Sequence, residues 1–382
     1  MIYLDNNATT RPLPEVLIAV AGTLAEQWAN PSSKHPAGQA ARSVLAAARA
    51  EVGGLFGALP AEVVFTSSAT ESNAQALHAA LAVPGAPRRL VISAIEHSGL
   101  REAARALAGQ GVEVSVLPVD GRGVIRAAAL PALLQEGAAL VSVMAANNET
   151  GVIQPVGEIV RLAQAAGVPV HVDATQLAGR LPIDFAALGA RFVSASAHKL
   201  HGPKGIGVLL VKKGAPFTPL FPGSQERRRR GGTENLPGIA GFAVAARLAR
   251  VYLESGDEMA RQAAMRDALE AGLGEALPGL RVFGAGVPRL PNTSCLAFGA
   301  LDAEIVLMRL EKAGICASSG SACSAGATDP SHVLLAMGVS EAEARAAVRF
   351  SLGRDTTPRD IATVIDTLRS SLAPLLADAL AA

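Results

Sequence analysis

Short β-rich apolar runs alternate with helix-patterned segments over the first 211 residues, and this alternation constrains the fold more than any other feature. Apolar residues at three- and four-residue spacing predict helices at Gln39 to Phe56 and Val156 to Ala166. Strands that alternate with helices predict an α/β fold with a largely parallel sheet. The strand runs are Glu62 to Thr66, Arg89 to Ser93, Glu113 to Leu117, Ala139 to Met144, Pro169 to Asp173, Arg191 to Ser194 and Gly207 to Val211.

The pattern changes after about residue 235. A long Ala/Arg/Leu/Glu stretch from Leu236 to Ala276 predicts continuous helix that leads the chain into a second lobe. Asp302 to Ala313 predicts a further helix, and the capping-box spacing of Ser340 and Glu343 predicts the start of another. Pro358, preceded by a threonine, predicts the start of the last helix.

Composition narrows the class of protein. Half of the 382 residues are hydrophobic and 18% are charged, which excludes a largely disordered chain. A net charge of +1 is too even to drive non-specific nucleic-acid binding, so we expect no nucleic-acid partner. Mean hydropathy is +0.32, but no uninterrupted apolar run approaches the roughly 20 residues that a membrane-spanning helix needs, so we expect no membrane partner.

The cysteines and the N-terminus indicate the compartment. Cys295, Cys316 and Cys323 are an odd and sparse set without a C-x-x-C pair, which favours a reducing environment over a disulfide framework. The first residues lack the basic and then apolar pattern of a secretion signal, with Asp5 at a position that would be apolar there. We therefore expect a cytoplasmic protein.

Three polar clusters follow predicted strands, where α/β folds bind ligands. The segment from Thr66 to Asn73 opens a helix and could hold a phosphate near Ala69 and Thr70, although an ordinary helix cap has the same pattern. Asp173, with Gln176 three residues on, could pair with a protonated ring nitrogen or could merely cap a helix.

The third cluster surrounds Lys199, which ends a strand run amid small residues and precedes a Gly/Pro-rich loop. Lysine forms imines with carbonyl cofactors, and pyridoxal phosphate requires such a lysine together with an acidic partner. A solvated surface lysine is the alternative. Zinc binding by His198 and His201 is disfavoured because no further ligands stand near them in the sequence, so we expect no metal site.

Cys323 lies in a run of small residues from Ser318 to Gly326, which predicts an exposed loop and a candidate nucleophile. Cys295 and Cys316 instead lie in β-like apolar context, where buried and inert thiols are usual.

The residues of these motifs and their order along the chain resemble those of a group I cysteine desulfurase of the NifS and IscS type, within the class V aminotransferases. The similarity runs essentially from end to end of the chain. Besides the clusters above, it rests on Tyr3 to Thr10, Asn30 to Ser33 with His35, Glu96 and His97, Asn147 to Gly151, Gly232 to Asn235, and Arg349 to Arg354.

The resemblance implies the fold type I architecture of pyridoxal-phosphate-dependent, aspartate-aminotransferase-like enzymes. A large domain, residues 13–255, would hold a mixed, mostly parallel seven-stranded sheet. A smaller α+β domain would comprise residues 256–382 together with residues 1–12. The resemblance also implies an obligate homodimer with composite sites, in which Thr233 would reach the cofactor phosphate of the partner subunit.

Site roles also follow from the resemblance. Lys199 would form a Schiff base with the cofactor, His97 would stack on its ring and move protons, Asp173 would pair with the ring nitrogen and Gln176 would contact the ring hydroxyl. Asn148 would serve both cofactor and substrate, and with Arg349 it would hold the substrate carboxylate. The implied phosphate ligands are Ala69, Thr70, Ser196 and His198.

The implied reaction removes sulfur from L-cysteine, gives L-alanine and leaves a persulfide on Cys323. An iron–sulfur scaffold or another acceptor protein would then take the sulfur. A selenocysteine lyase or a class V aminotransferase on the same fold is the alternative, and a sulfur carrier without catalysis is a more distant one.

Overall fold

The computed structural model describes residues 1–299, 301–319 and 329–381 of the chain. Its strands are β1 Ile2–Tyr3, β2 Val63–Thr66, β3 Arg89–Ser93, β4 Glu113–Leu117, β5 Leu140–Met144, β6 Val170–Asp173, β7 Phe192–Ser196, β8 Gly207–Val211, β9 Leu280–Val282, β10 Thr293–Phe298, β11 Ile315–Cys316, β12 Ser318–Ser319 and β13 Ala347–Ser351. Its α-helices are α1 Pro14–Glu26, α2 Pro36–Leu55, α3 Ala69–Leu81, α4 Ser98–Ala108, α5 Leu130–Leu133, α6 Val156–Ala165, α7 Phe185–Leu188, α8 Leu236–Ser255, α9 Asp257–Ala276, α10 Ala303–Lys312, α11 His332–Ala336, α12 Glu341–Arg345 and α13 Pro358–Ala381.

The predicted α/β sheet is confirmed. Seven strands lie in the order β2-β8-β7-β6-β5-β3-β4, and each predicted strand run forms one of them. β8 pairs antiparallel with both of its neighbours, whereas every other pairing in the sheet is parallel. The central strands β5 and β7 are buried along their whole length, because helices cover both faces of a parallel sheet.

A second core lies around a smaller sheet of order β12-β13-β10-β9. Its buried side chains come from the N-terminal Leu4 and from residues between Met265 and Leu376. β1 pairs with β11, and Asp5 bridges to Ser351 on β13, so the first residues pack with the C-terminal part of the chain. The domain boundaries inferred from the resemblance remain a prediction.

The prediction of one continuous helix from Leu236 to Ala276 is wrong. Gly256, with φ of 72°, ends α8 in the left-handed conformation, and α9 starts at the next residue. α2 starts at Pro36, three residues before the predicted Gln39. The predicted starts at Val156, Asp302, Ser340 and Pro358 are confirmed. Asp302 accepts a hydrogen bond from the Glu304 amide at 2.9 Å, and Ser340 accepts one from the Glu343 amide at 3.3 Å.

Among the described helices, α8 alone has the length and composition of a membrane-spanning helix, and half of its most apolar window is buried inside the protein. It packs against α1 and α2. Because α8 carries Arg247 and Arg250, it is not an uninterrupted apolar run.

Candidate active site

A cavity of about 250 Å³ opens beyond the carboxyl ends of the central strands, where α/β folds place ligands. It gathers nine of the residues singled out in the sequence. They are Ala69, Thr70, His97, Asn148, Asp173, Gln176, Ser196, His198 and Lys199.

One end of this cavity is built to receive an anion. The first residues of α3, Ala69 and Thr70, line it, and Ser68 caps the helix by accepting a hydrogen bond from the Glu71 amide at 3.3 Å. Ser68 therefore caps the helix, and the capped helix start faces the cavity. The Ser196 hydroxyl, which also lines the cavity, is buried without a hydrogen-bond partner among the described residues.

The backbone packs tightly at this end. A side chain at Gly207 would place its Cβ only 2.6 Å from the Ser68 carbonyl carbon. His198 holds its Nδ1 atom 3.1 Å from the Thr9 hydroxyl, so the N-terminal segment closes the same corner. Amides at a helix start, an unpartnered hydroxyl and an imidazole together suit a phosphate group.

Lys199 follows β7 on a single 3₁₀ turn, Ala197–Lys199, which brings its side chain into the cavity. Its ammonium group donates a hydrogen bond of 2.9 Å to the Ala8 carbonyl oxygen and a shorter one to the Asn7 carbonyl oxygen. The amine is therefore held beside the anion end by the backbone of the N-terminal segment.

Asp173 ends β6, lines the cavity and is 5% exposed. Its Oδ1 atom accepts a hydrogen bond of 2.9 Å from the Thr175 amide, and its Oδ2 atom accepts one of 2.7 Å from the Asn73 side chain. Gln176 reaches the Asn7 carbonyl oxygen at 3.0 Å with its amide nitrogen. A carboxylate fixed by two donors can pair with a cationic ring nitrogen.

His97 caps the start of α4, where its Nδ1 atom accepts a hydrogen bond of 3.1 Å from the Gly99 amide. This contact assigns the proton of the neutral ring to Nε2. Burial lowers the pKa of His97, and the nearby positive charges of Lys199 and Arg349 lower it further, while Asp173 opposes them. The imidazole is therefore neutral near pH 7.

Glu96, directly before His97, is a fully buried acid behind the cavity. Burial raises its pKa to about 8, although it accepts hydrogen bonds from the Ser93 hydroxyl and from the Met144 amide. Glu96 is therefore protonated at neutral pH, and it ties the end of β3 to the end of β5.

Arg349 lies behind the cavity wall and is 1% exposed. Its guanidinium donates a hydrogen bond of 3.1 Å to the carbonyl oxygen of Asn148, which lines the cavity, and one of 2.7 Å to the Asp5 carboxylate. Within the described part of the chain its Nε atom is buried without a partner. The predicted pair of Asn148 and Arg349 is thus in direct contact, with Asn148 in front.

Of the predicted site residues that the structure describes, Arg349 and Thr233 do not line the cavity. Thr233 is exposed. Cys323 lies outside the described residues. Cys295 is fully buried, which raises the pKa of its thiol far above the usual range, as the prediction of an inert thiol requires. Cys316 is only half-buried, on the short strand β11.

The site also contains residues that the sequence analysis missed. The carbonyl oxygens of Asn7 and Ala8 hold Lys199, and Asn73 holds Asp173. Backbone acceptors have no sequence signal. Asn73 had one, because it faces the cavity from the first turns of α3 in the same polar run as Thr70.

The cavity fits pyridoxal phosphate on its own chemistry. It offers a helix start with the unpartnered Ser196 hydroxyl at one end, the Lys199 amine nearby and the fixed carboxylate of Asp173. These groups match a phosphate, an aldehyde and a pyridine nitrogen respectively. Of the described residues, no three His, Cys, Asp or Glu side chains form a group that could hold a metal ion.

Comparison with known proteins agrees with this chemistry. A profile of the family Aminotransferase class-V matches residues 2–364. A curated cysteine desulfurase of Cereibacter sphaeroides is 45% identical over 370 residues, which cover 96% of this chain and 94% of that protein.

Two solved structures are also similar. One is described as a NifS-like protein, with a TM-score of 0.90, 35% identity and coverage of 97% of this chain and 99% of that one. The other is described as SspA in complex with cysteine, with a TM-score of 0.81, 30% identity and coverage of 92% and 99%.

Proposed function

Because this chain belongs to the class V aminotransferase family, and within it to the cysteine desulfurases, we propose that it transfers the sulfur of L-cysteine to Cys323 as a persulfide and releases L-alanine. The observation that carries the proposal is the cavity, which joins an anion end, the Lys199 amine and the Asp173 carboxylate. Pyridoxal phosphate, the cofactor of this family, supplies an electron sink for negative charge at the Cα atom of a bound amino acid.

Different residues of the cavity would bind different parts of that cofactor. The α3 amides, Ser196 and His198 would bind its phosphate, and Lys199 would bind its aldehyde carbon. Asp173 would keep its ring nitrogen protonated, since a nearby carboxylate favours the charged form. Gln176 would contact the ring hydroxyl.

Protons move at two atoms of the chain. The Lys199 amine would be the base that takes the Cα proton of the bound L-cysteine. His97 is neutral with its proton on Nε2, so it can give a proton at that atom and regain it later.

The sulfur step needs the Cys323 thiolate. A bond forms between its Sγ atom and the substrate sulfur while the bond between that sulfur and the substrate Cβ atom breaks. The remaining three-carbon fragment takes up protons and leaves as L-alanine, so thiol and cysteine give persulfide and alanine without an added oxidant. We further propose that the persulfide sulfur passes to an acceptor protein for iron–sulfur cluster assembly, in line with the NifS-like relative.

Asn148 and Arg349 would hold the substrate carboxylate. Replacing Arg349 with lysine keeps the positive charge but removes the planar fork. We expect KM for L-cysteine to rise roughly ten- to hundredfold, because the loss of one hydrogen bond to a charged group weakens binding by about that factor. We expect kcat to change less. Arg345→Lys on the exposed helix α12 is the control, and an unchanged KM in Arg349→Lys would remove Arg349 from substrate binding.

A second copy of the chain would complete the site. Leu17 and Leu24 are 56% and 61% exposed and lie seven residues apart on one face of α1, and Trp28, 78% exposed, lies two residues past the end of the helix. We call these three side chains the apolar stripe. Such a stripe on a surface helix marks a protein interface. The exposed Thr233 is then available to the partner subunit's cofactor.

Charges placed in this stripe should separate the dimer. We expect the double change Leu24→Asp and Trp28→Asp to halve the mass measured by sedimentation equilibrium and to lower turnover, because Thr233 no longer reaches a partner. Val116→Asp is the control, since Val116 is also an exposed apolar residue, at 53%, but lies on the edge strand β4 and not on α1. A double variant that keeps the wild-type mass would place the interface elsewhere.

Substrate kinetics test the proposed function against its alternatives. We expect L-cysteine to give equal amounts of alanine and transferable sulfur. A selenocysteine lyase would turn over selenocysteine and leave cysteine intact, and an aminotransferase would require a keto acid acceptor. We also propose a cytoplasmic location, because Cys295 and Cys316 are unpaired thiols and Cys323 must stay reduced to react.

A further inference from the structure

A buried chain of polar side chains runs behind the cavity to Asp173. In the sheet, Ser142 on β5 lies opposite His171 on β6, and Asp173 lies opposite Ser194 on β7. Asn73 on α3 lies between Ser194 and Asp173. Each of these five residues is at most 5% exposed, so their polar groups depend on one another for hydrogen bonds.

Four hydrogen bonds connect them. Asn73 Nδ2 lies 2.7 Å from Asp173 Oδ2, and the Ser194 hydroxyl makes a short contact with Asn73 Oδ1. His171 Nε2 lies 3.0 Å from Ser194 Oγ, and His171 Nδ1 lies 2.8 Å from the Ser142 hydroxyl.

The donor and the acceptor of each of these four hydrogen bonds can be assigned. An ionised carboxylate only accepts, so Asn73 donates from Nδ2 and its Oδ1 atom is left to accept. The single proton of Ser194 goes to that Oδ1 atom. The Ser194 oxygen must therefore accept from His171, whose proton is on Nε2.

His171 is neutral, which fixes the last bond. Burial lowers its pKa to about 4, against the opposing charge of Asp173. Among the described residues, Asp173 is the charged group that acts on the pKa of His171. The groups that face the His171 ring from β5 and β7 are the neutral hydroxyls of Ser142 and Ser194. Nδ1 of a neutral ring that carries its proton on Nε2 accepts, so the Ser142 hydroxyl donates to it. All four donors thus point toward Asp173.

We propose that these hydrogen bonds make Asn73, Ser194 and His171 positioning residues that fix the Asp173 carboxylate and aim it at the cofactor's ring nitrogen. Aligned hydrogen bonds polarise one another, so each donor strengthens the next one toward the carboxylate. The amide of Thr175 adds a second donor from the other side. The inference rests on the proposed role of Asp173 toward the cofactor.

Ser194→Ala is the decisive variant, because Ser194 does not line the cavity and can act only through Asn73. Enzyme reconstituted with pyridoxal phosphate labelled with ¹⁵N in its ring reports the protonation of that nitrogen by NMR. We expect Ser194→Ala to lower the protonated fraction and to weaken cofactor binding severalfold. Asn73→Ala should weaken it roughly ten- to hundredfold, because it removes a hydrogen bond to a charged group.

The effect of a substitution on the nitrogen signal should decrease with its distance from Asp173 along the four hydrogen bonds. Ser142→Ala, at the far end, should change the nitrogen signal least, and Ser194→Thr, which keeps the hydroxyl, should restore it. In the three alanine variants kcat should fall while KM for cysteine stays near its wild-type value, because Asn148 and Arg349 are untouched. Should Ser194→Ala fail to fold in a thermal unfolding check, Asn73→Ala and Ser142→Ala carry the same comparison.

Ser72→Ala is the matched control. Ser72 is a fully buried neighbour of Asn73 on α3, and its hydroxyl bonds to Thr66 at 2.8 Å without a link to Asp173. The inference is overturned if Ser194→Ala and Ser72→Ala give the same nitrogen signal while Asp173→Asn shifts it. If Asp173→Asn leaves the signal unchanged, the proposed role of Asp173 itself fails.

Discussion

Lys199→Ala should lower the turnover of L-cysteine by at least about a thousandfold, the range that loss of a positioned base produces. The change removes both the amine that would bind the cofactor and the base that would take the Cα proton. Added pyridoxal phosphate should still bind, because the groups at the anion end remain, but the visible absorbance of the covalently bound cofactor should be lost. Absorbance spectra and alanine release measure the two effects separately.

Lys204→Ala is the control for this experiment. Lys204 is exposed in the loop that follows Lys199, and it does not line the cavity. Its removal therefore takes away a nearby positive charge without touching the amine in the site. A Lys199→Ala protein with wild-type turnover would show that the amine held by the Ala8 carbonyl oxygen is not the reactive group.

Cys323→Ser should separate cofactor chemistry from sulfur transfer. We expect the spectrum of the bound cofactor, and its change on addition of cysteine, to stay as in wild type, because the substitution leaves the residues that would hold the cofactor, Lys199, Asp173 and Ser196, untouched. Persulfide should be absent, and alanine release should fall roughly a thousandfold, since a serine hydroxyl cannot replace a thiolate as the attacking nucleophile.

The other thiols provide matched controls for that variant. Cys316→Ser makes the same chemical change at a half-buried thiol on β11 and should leave turnover near wild type. Cys295→Ala tests a buried thiol and should affect stability more than rate. Sulfide output that persists undiminished in Cys323→Ser would assign the persulfide to another residue.

The sheet was predictable because its strands are short, apolar and separated by helices. β3, β4 and β8 have the bounds that the sequence predicted, since each run stops at a polar or turn residue. The break between α8 and α9 was missed because the single Gly256 lies inside an otherwise helical pattern. Only its left-handed φ of 72° shows that the helix ends there.

The cavity was predictable to the extent that its groups are side chains at strand ends. Asp173 is the last residue of β6 and Lys199 comes one short turn after β7, and the ends of parallel strands meet at one edge. The contacts of Asn7 and Ala8 with Lys199 join residues more than 190 positions apart through backbone atoms, which carry no sequence signal.

The polar chain behind Asp173 lies between these cases. His171 and Asp173 lie two residues apart on β6, and this spacing puts both side chains on one face of the sheet. A histidine and a serine inside apolar strands are a visible departure from the strand pattern. Their meaning depends on the register of β5, β6 and β7, which the sequence does not provide.

Anaerobic incubation of the purified holoenzyme with L-cysteine, followed by measurement of alanine and of the intact mass of the protein, is the decisive test of desulfurase chemistry. We expect alanine together with a protein that gains the mass of one sulfur atom, and no such gain in Cys323→Ser. A protein that binds the cofactor but yields neither alanine nor a sulfur adduct would contradict desulfurase chemistry and direct the search to selenocysteine or a transamination partner.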